Sequence, residues 1–138
     1  MKISLITISD RLSQDPSQED ISGDKVASYI QSRSDITSKV ADNVEIFRSL
    51  IPDEQEQIVT KLQEFVEMNC HLILTIGGTG FSPRDVTPES TKQVIEREAP
   101  GLVFGMLQSS LEVTPHAMLS RSTAGIAQQS VIVNLPGN

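Results

Sequence analysis

Residues 72–89 read Leu-Ile-Leu-Thr-Ile-Gly-Gly-Thr-Gly-Phe-Ser-Pro-Arg-Asp-Val-Thr-Pro-Glu. The run Leu72 to Ile76 is apolar without polar alternation, the pattern of a strand covered on both faces, as in a parallel sheet with helices on either side. Glycine then ends the run. Gly77, Gly78 and Gly80 can take backbone angles closed to other residues, and without a Cβ their N–H groups can come close to phosphate oxygens. Thr87-Pro88-Glu89 has the signature of a helix start, with Thr87 as N-cap, Pro88 at the first helical position and Glu89 in the first turn. Strand, glycine turn and helix together predict a ligand-binding loop.

The loop matches neither standard nucleotide motif. No Lys-Ser/Thr pair follows the glycines, as a P-loop needs, and Pro83 stands where the dinucleotide fingerprint has its third glycine. Arg84 and Asp85 follow instead, a cation able to contact phosphate and a carboxylate able to hold a divalent metal. A solvated turn with an incidental ion pair would account for the same two residues.

The remaining chain is ordinary for a globular protein. Its 138 residues suit one domain, with 38% hydrophobic and 21% charged content and a formal net charge of −7. That charge argues against general binding to nucleic acid or to anionic membranes, so a phosphorylated substrate must find local cations, metal or backbone N–H groups. One cysteine, Cys70, leaves no internal disulfide and fits a reducing compartment. No run is long enough for a membrane span and Met1-Lys2 leads straight into a strand pattern, which makes the cytoplasm the expected location.

In order, Ile3 to Ile8 predicts a first strand and Leu12 to Ser22 a polar, mobile loop. Ser22-Gly23-Asp24 opens a helix with Val26, Tyr29 and Ile30 on one face, and Gln31 to Asn43 reads as a connection. Val44 to Ile51 suggests a strand broken by Arg48 and Ser49. Ile58, Val59, Leu62, Phe65 and Val66 recur at helical spacing, so an amphipathic helix is expected from about Asp53 to Met68. Asp53 and Glu54 would occupy its first turn, where the helix dipole favours carboxylates. The same two residues also lie at the strand end where α/β sheets bind ligands, which makes Asp53 a candidate partner for Asp85. Ser90 to Glu98 continues the helix of the organising stretch with Val94 and Ile95 inward. Leu102 to Leu111 forms another helix, with Val103, Met106, Leu107 and Leu111 on one side. Ser120-Arg121-Ser122-Thr123 sets three hydroxyls around one guanidinium, either an anion-binding cluster or a helix cap beside a surface arginine. Val131 to Leu135 is a last buried strand. The alternation predicts a layered α/β domain with a largely parallel sheet and one cleft at the strand ends.

The ordered motifs carry a resemblance. Thr79-Gly80-Phe81, Asp85-Val86-Thr87-Pro88-Glu89, Pro100-Gly101-Leu102, Thr114-Pro115, Ser120-Arg121-Ser122, Ala124-Gly125-Ile126 and Asn134-Leu135-Pro136-Gly137-Asn138, with Ile6 to Asp10 and Asp20 to Gly23 near the start, resemble the molybdopterin adenylyltransferase family, which includes the N-terminal G domain of gephyrin. The resemblance implies a three-layer α/β/α fold, a homotrimer, and transfer of AMP from Mg-ATP to the terminal phosphate of molybdopterin with release of pyrophosphate. It implies that Asp53 and Asp85 are the essential aspartates and hold Mg²⁺. Gly77, Gly78, Thr79, Gly80 and Phe81, with Pro136, Gly137 and Asn138, would bind the nucleotide, and Ser120, Arg121 and Ser122 would line the pterin side. The gephyrin likeness also implies a rival reading, a molybdopterin-binding scaffold without turnover, and a fused or partner domain that inserts molybdate.

His71 and Ile76 replace an aspartate and a threonine common in the family. His71 and His116 read as surface or satisfied residues with no zinc-ligand spacing around them. Relatives of this kind continue past the Pro-Gly-Asn ending with a helix that packs on the sheet. A chain cut short at its C-terminus, or contacts between protomers, would follow, with apolar surface around Val131 and Val133 otherwise uncovered.

Overall fold

The computed structural model describes residues 1–33 and 44–137. In chain order the elements are β1 (Lys2–Ile8), α1 (Asp10–Gln14), α2 (Ile21–Ser32), β2 (Glu45–Ile51), α3 (Gln55–Glu67), β3 (Leu72–Ile76), α4 (Thr87–Val94), β4 (Arg97–Glu98), α5 (Pro100–Val113), a 3₁₀ helix (Pro115–Leu119), β5 (Ala124–Ala127) and β6 (Ser130–Leu135). The sheet runs β2-β1-β3-β6-β5-β4. Its first four strands are parallel, while β5 and β4 join antiparallel at the far edge. The expected α/β class with a mostly parallel sheet is therefore the observed one.

Alternation along the strands divides two cores. Ile6 and Ile8 of β1, Ile73 of β3 and Ile132 of β6 meet Ile58, Leu62, Phe65 and Val66 of α3 on one face. Ile3 and Leu5 turn to the other face, where Ala27 and Ile30 of α2 cover them. Burying the four α3 side chains contributes about 1.5–3 kcal/mol each. Parallel order then delivers the C-terminal ends of β1, β2, β3 and β6 to one edge of the sheet.

Several local expectations are corrected. Asp10–Gln14 is a short helix that runs into the start of the expected loop; Ser9 Oγ caps it by accepting from Leu12 N at 3.2 Å, and Leu12 is its one buried residue, too few to give a periodic signal. Tyr29 is exposed, and Gly23, Ala27 and Ile30 are the residues α2 buries. Most of the Gln31 to Asn43 connection lies outside the described residues. Arg48 does not break β2: the strand is at the sheet edge, and the guanidinium leaves it to bond Asp24 at 2.6 Å and Asp20 at 3.1 Å on α2. The helix α3 starts at Gln55, so Asp53 precedes it and the acid of its first turn is Glu56. Val86, not Thr87, is the N-cap of α4. That helix stops at Val94, and the chain turns into β4 because Glu96 N and Ala99 N bond to β5 carbonyls.

The central strand is also less covered than its pattern implied. Ile73, Thr75 and Ile76 are buried, but Leu72 and Leu74 are partly exposed and border an apolar groove with Met1, Ile3, Val26, Tyr29, Ile30 and Leu135. Of the two residues around which uncovered surface was expected, Val131 is partly exposed and Val133 is 7% exposed.

One buried polar side chain ties the layers. Asn134, with no exposed surface, donates through Nδ2 to Thr75 Oγ1 and Thr91 Oγ1, both at 2.9 Å, and accepts from Thr123 N at 3.1 Å. These bonds join β6 to β3, to α4 and to the segment entering β5. Truncating the side chain leaves a buried N–H and two hydroxyls short of partners, at about 1–3 kcal/mol for each group abandoned. Asn134→Ala is expected to lower the unfolding free energy by about 3 kcal/mol or more, read as a lower urea midpoint with an unchanged m value.

Candidate active site

The turn after β3 is set by close packing. Gly77 and Gly78 adopt φ of 100° and 68°. A Cβ on Gly77 would lie 2.5 Å from the carbonyl oxygen of Ile8, and one on Gly78 would overlap Thr87 Oγ1 and come within 3.0 Å of Asp53 Oδ1. Both the left-handed backbone and the missing side chain are thus required. Thr87 N bonds to Gly78 O at 3.1 Å, anchoring the turn to the start of α4.

Two aspartates flank this turn from different strands. Asp53, after β2, sends Oδ1 toward Gly78. Asp85 places Oδ2 2.8 Å from where a Gly80 Cβ would be, and the same oxygen accepts from Ser82 N at 3.0 Å, closing the loop on itself. Burial, then the nearby carboxylates of Asp10 and Asp85, push the Asp53 carboxyl above the usual aspartate range, against a bond from Asp10 N that lowers it. The two residues expected to cooperate are therefore close enough to repel one another.

A residue not singled out from the sequence holds Asp53. Asp10 N donates to Asp53 Oδ2 at 2.8 Å and Asp53 N donates to Asp10 Oδ1 at 3.0 Å, a reciprocal pair between the ends of β1 and β2. In the sequence Asp10 stood only within the Ile6 to Asp10 motif of the resemblance, with no role of its own; its pairing needs the parallel β1–β2 contact.

A cavity of about 590 Å³ opens beside the glycine turn. Gly78, Thr79, Gly80, Asp85, Ser120, Ser122, Pro136 and Gly137 line it, eight of the residues expected to bind ligand. Gly77 and Phe81 do not; Gly77 is turned to Ile8 and Phe81 is 71% exposed. Asp53 is also absent from the lining and faces the turn from behind Gly78. Asn138 lies outside the described residues. The far wall is Val103, Met106, Leu107 and Ser110 of α5 with Thr114, His116, Ala117 and Leu119 after it. Spacing grouped Val103, Met106 and Leu107 on one side, but a helix face lining a cavity has the same pattern as one packed in a core.

Arg121 differs most from its sequence reading. Ser120 is extended, so side chains alternate: Ser120 and Ser122 face the cavity and bond each other at 3.0 Å, while Arg121 turns the opposite way. Its Nε donates to Gly80 O and its Nη2 to Asp85 O, both at 2.7 Å, and Nη1 pairs with Glu89, whose carboxyl that guanidinium holds low. Arg121 N also donates to Thr79 O at 2.8 Å. The guanidinium braces the glycine loop and no hydroxyl ring surrounds it.

Comparison with known proteins agrees with this geometry. Residues 4–138 match the family described as a probable molybdopterin binding domain. The chain is 44% identical over 138 residues to the molybdopterin adenylyltransferase of Escherichia coli strain K12, covering 99% of this chain and 67% of that protein. It is 41% identical to gephyrin of Dictyostelium discoideum, covering 99% of this chain and 19% of gephyrin. Among solved structures it is similar to the molybdopterin biosynthesis Mog protein of Mycobacterium ulcerans, with a TM-score of 0.84, 32% identity, and coverage of 99% of this chain and 84% of that one. The chain thus spans about two thirds of the bacterial enzyme and a fifth of gephyrin.

The raised Asp53 carboxyl has a consequence for stability. A carboxyl with its folded pKa above the unfolded value favours folding at low pH, and this contribution is lost as pH rises through the folded value, so at neutral pH the charge opposes folding. Asp53→Asn keeps an oxygen for Asp10 N and removes the charge. In metal-free buffer at neutral pH the variant is expected to melt a few degrees higher than wild type, a gap that closes as the pH is lowered, measured by calorimetry.

Proposed function

This chain belongs to the family of probable molybdopterin binding domains, and we propose that it transfers AMP from Mg-ATP to the terminal phosphate of molybdopterin. The observation that carries this reading is the convergence of Asp53, from the end of β2, and Asp85, from the loop after β3, on one glycine turn that lines the cavity. The 44% identity to the E. coli adenylyltransferase supports it.

Magnesium suits the groups present. Among the described residues no three His, Cys, Asp or Glu side chains cluster as a complete protein site, whereas two carboxylates can hold Mg²⁺ together with substrate phosphates. Asp53 Oδ1 faces the turn, and Thr87 Oγ1, buried without a hydrogen-bond partner in the protein, lies against the same Gly78. Mg²⁺ bound there would neutralise phosphate charge and withdraw electrons from the α-phosphorus.

In the reaction a terminal phosphate oxygen of molybdopterin attacks the α-phosphorus of ATP. The new oxygen–phosphorus bond forms as the bond to the β-phosphate oxygen breaks, and pyrophosphate leaves. The protein's part is to orient anions that repel each other and to exclude water. Backbone groups of Gly78 to Gly80, with Pro136 and Gly137 alongside, form the nucleotide side. Ser120 and Ser122 offer hydroxyls on the pterin side, against the apolar wall of α5. Arg121 keeps the loop shape while touching neither substrate. The reaction is placed in the cytoplasm, in keeping with the lone, buried thiol of Cys70; among the described residues no helix is long and apolar enough to cross a membrane.

A homotrimer completes the reading. In the single chain α5 buries no residue, and Leu102, Phe104, Leu111 and Val113 on it, with Met118 and Leu119 beyond, are exposed. So much apolar surface on one element is the mark of an interface. A molybdate-inserting domain, fused or separate, would receive the adenylylated product.

Incubated with molybdopterin, ATP and Mg²⁺, the wild-type chain is expected to release pyrophosphate, and Asp85→Asn to lose more than the ~10–100-fold that changes outside a metal's ligands cost. Molybdopterin binding with no pyrophosphate would instead establish the scaffold reading. Sedimentation should give about three times the 15.1 kDa chain mass, and Phe104→Glu is expected to yield monomers; a wild-type monomer would remove the trimer.

A further inference from the structure

Arg84 follows Pro83 in the loop that carries Asp85, and its side chain is 54% exposed. An arginine in such a loop would be expected to await phosphate. It is occupied instead. Nε donates to Asp10 Oδ2 at 3.0 Å and Nη2 to Asp10 Oδ1 at 3.1 Å, a two-pronged pairing, while Nη2 also reaches Glu54 Oε1 at 2.7 Å. Asp10 in turn forms the reciprocal pair with Asp53.

We propose that Asp10 and Arg84 are positioning residues: Arg84 clamps the Asp10 carboxylate, which accepts from Asp53 N and so seats the Asp10 N–H on the Asp53 carboxylate, and the loop bearing Asp85 is thereby held at a set distance from Asp53. The inference rests on the reading that Asp53 and Asp85 together hold the Mg–nucleotide. Apart from the link through Asp10, the loop after β3 meets the end of β2 where Arg84 Nη2 reaches Glu54 and where Asp53 Oδ1 lies against Gly78. With that link, residues adjacent to both aspartates are connected by charge-assisted bonds of fixed geometry.

The bonding of each oxygen separates positioning from direct ligation. Asp10 Oδ1 already accepts from Asp53 N and Arg84 Nη2, and Oδ2 accepts from Arg84 Nε. Asp53 Oδ2 accepts from Asp10 N, which leaves Oδ1 as the oxygen turned to the glycine turn. Asp10 therefore serves the protein on both its oxygens, and Asp53 keeps one for ligand. Lysine cannot reproduce the fork, since an ammonium is a point charge where the guanidinium is a planar pair of donors.

The test compares Asp10→Asn, Arg84→Gln, Arg84→Lys and the double variant Asp10→Asn/Arg84→Gln with wild type. Calorimetric titration with a non-cleavable ATP analogue at several Mg²⁺ concentrations supplies a readout independent of turnover. Each single variant is expected to need roughly tenfold more Mg²⁺ for half-maximal analogue binding, with kcat lowered and the KM for molybdopterin unchanged. The double variant should be no worse than Arg84→Gln alone, because that change already breaks the link to Asp10, and Arg84→Lys should behave as Arg84→Gln. Unaltered Mg²⁺ dependence overturns the inference, as do effects that multiply in the double variant. Weaker analogue binding in Arg84→Gln beside normal binding in Asp10→Asn overturns it too, since Arg84 would then serve the triphosphate directly. If wild type itself neither binds the analogue nor releases pyrophosphate, the adenylyl-transfer reading fails and takes this inference with it; wild-type activity beside unaltered variants sinks the inference alone.

Discussion

At the end of β3 the backbone passes so close to its neighbours that side chains are excluded. Ile8 O stands where a Gly77 Cβ would be, and Thr87 Oγ1 and Asp53 Oδ1 crowd the place of a Gly78 Cβ. The turn can be this tight only with left-handed glycines, and only with the turn this tight can Asp53 stand next to the loop of Asp85. The separation of the two carboxylates, the entry of α4 and the floor of the cavity all follow from that approach.

Such a turn is held by what surrounds it. On one side Arg121 meets the carbonyls of Gly80 and Asp85 and the Glu89 carboxylate, supplying donors to a segment without strand or helix partners. On the other, Arg84 and Asp10 link the loop to the ends of β1 and β2. Beneath, Asn134 joins β6 to β3 and α4. Four polar side chains thus fix from outside what glycine leaves free. Burial of Asp53, and after it the like charges of Asp10 and Asp85, oppose this order and raise the Asp53 carboxyl.

The two arginines show where reading along the chain stops. Arg84 and Arg121 were both recognisable as cations near an anion site, and both proved to be committed to protein groups. Arg121 and Gly80 are far apart in sequence, as are Arg84 and Asp10, so no local pattern joins them. The exposed apolar face of α5 is a similar case: period and composition mark an amphipathic helix, but only the packing reveals that its own chain leaves it uncovered.

From the residues alone came the α/β class, the central strand with its glycine turn, the amphipathic α3 and the candidacy of Asp53 and Asp85, because each is written in local patterning or in motifs whose order along the chain is itself information. The sequence also determined which residues could supply oxygens and charge at the site. The antiparallel edge of β4 and β5, the helix at Asp10, the place of Asp10 beneath Asp53 and the direction in which Arg121 points were decided by tertiary structure. The physical reason is that these depend on which groups meet across the sheet edge and across the loops, and a hydrogen bond between distant residues leaves no periodic trace in either of them.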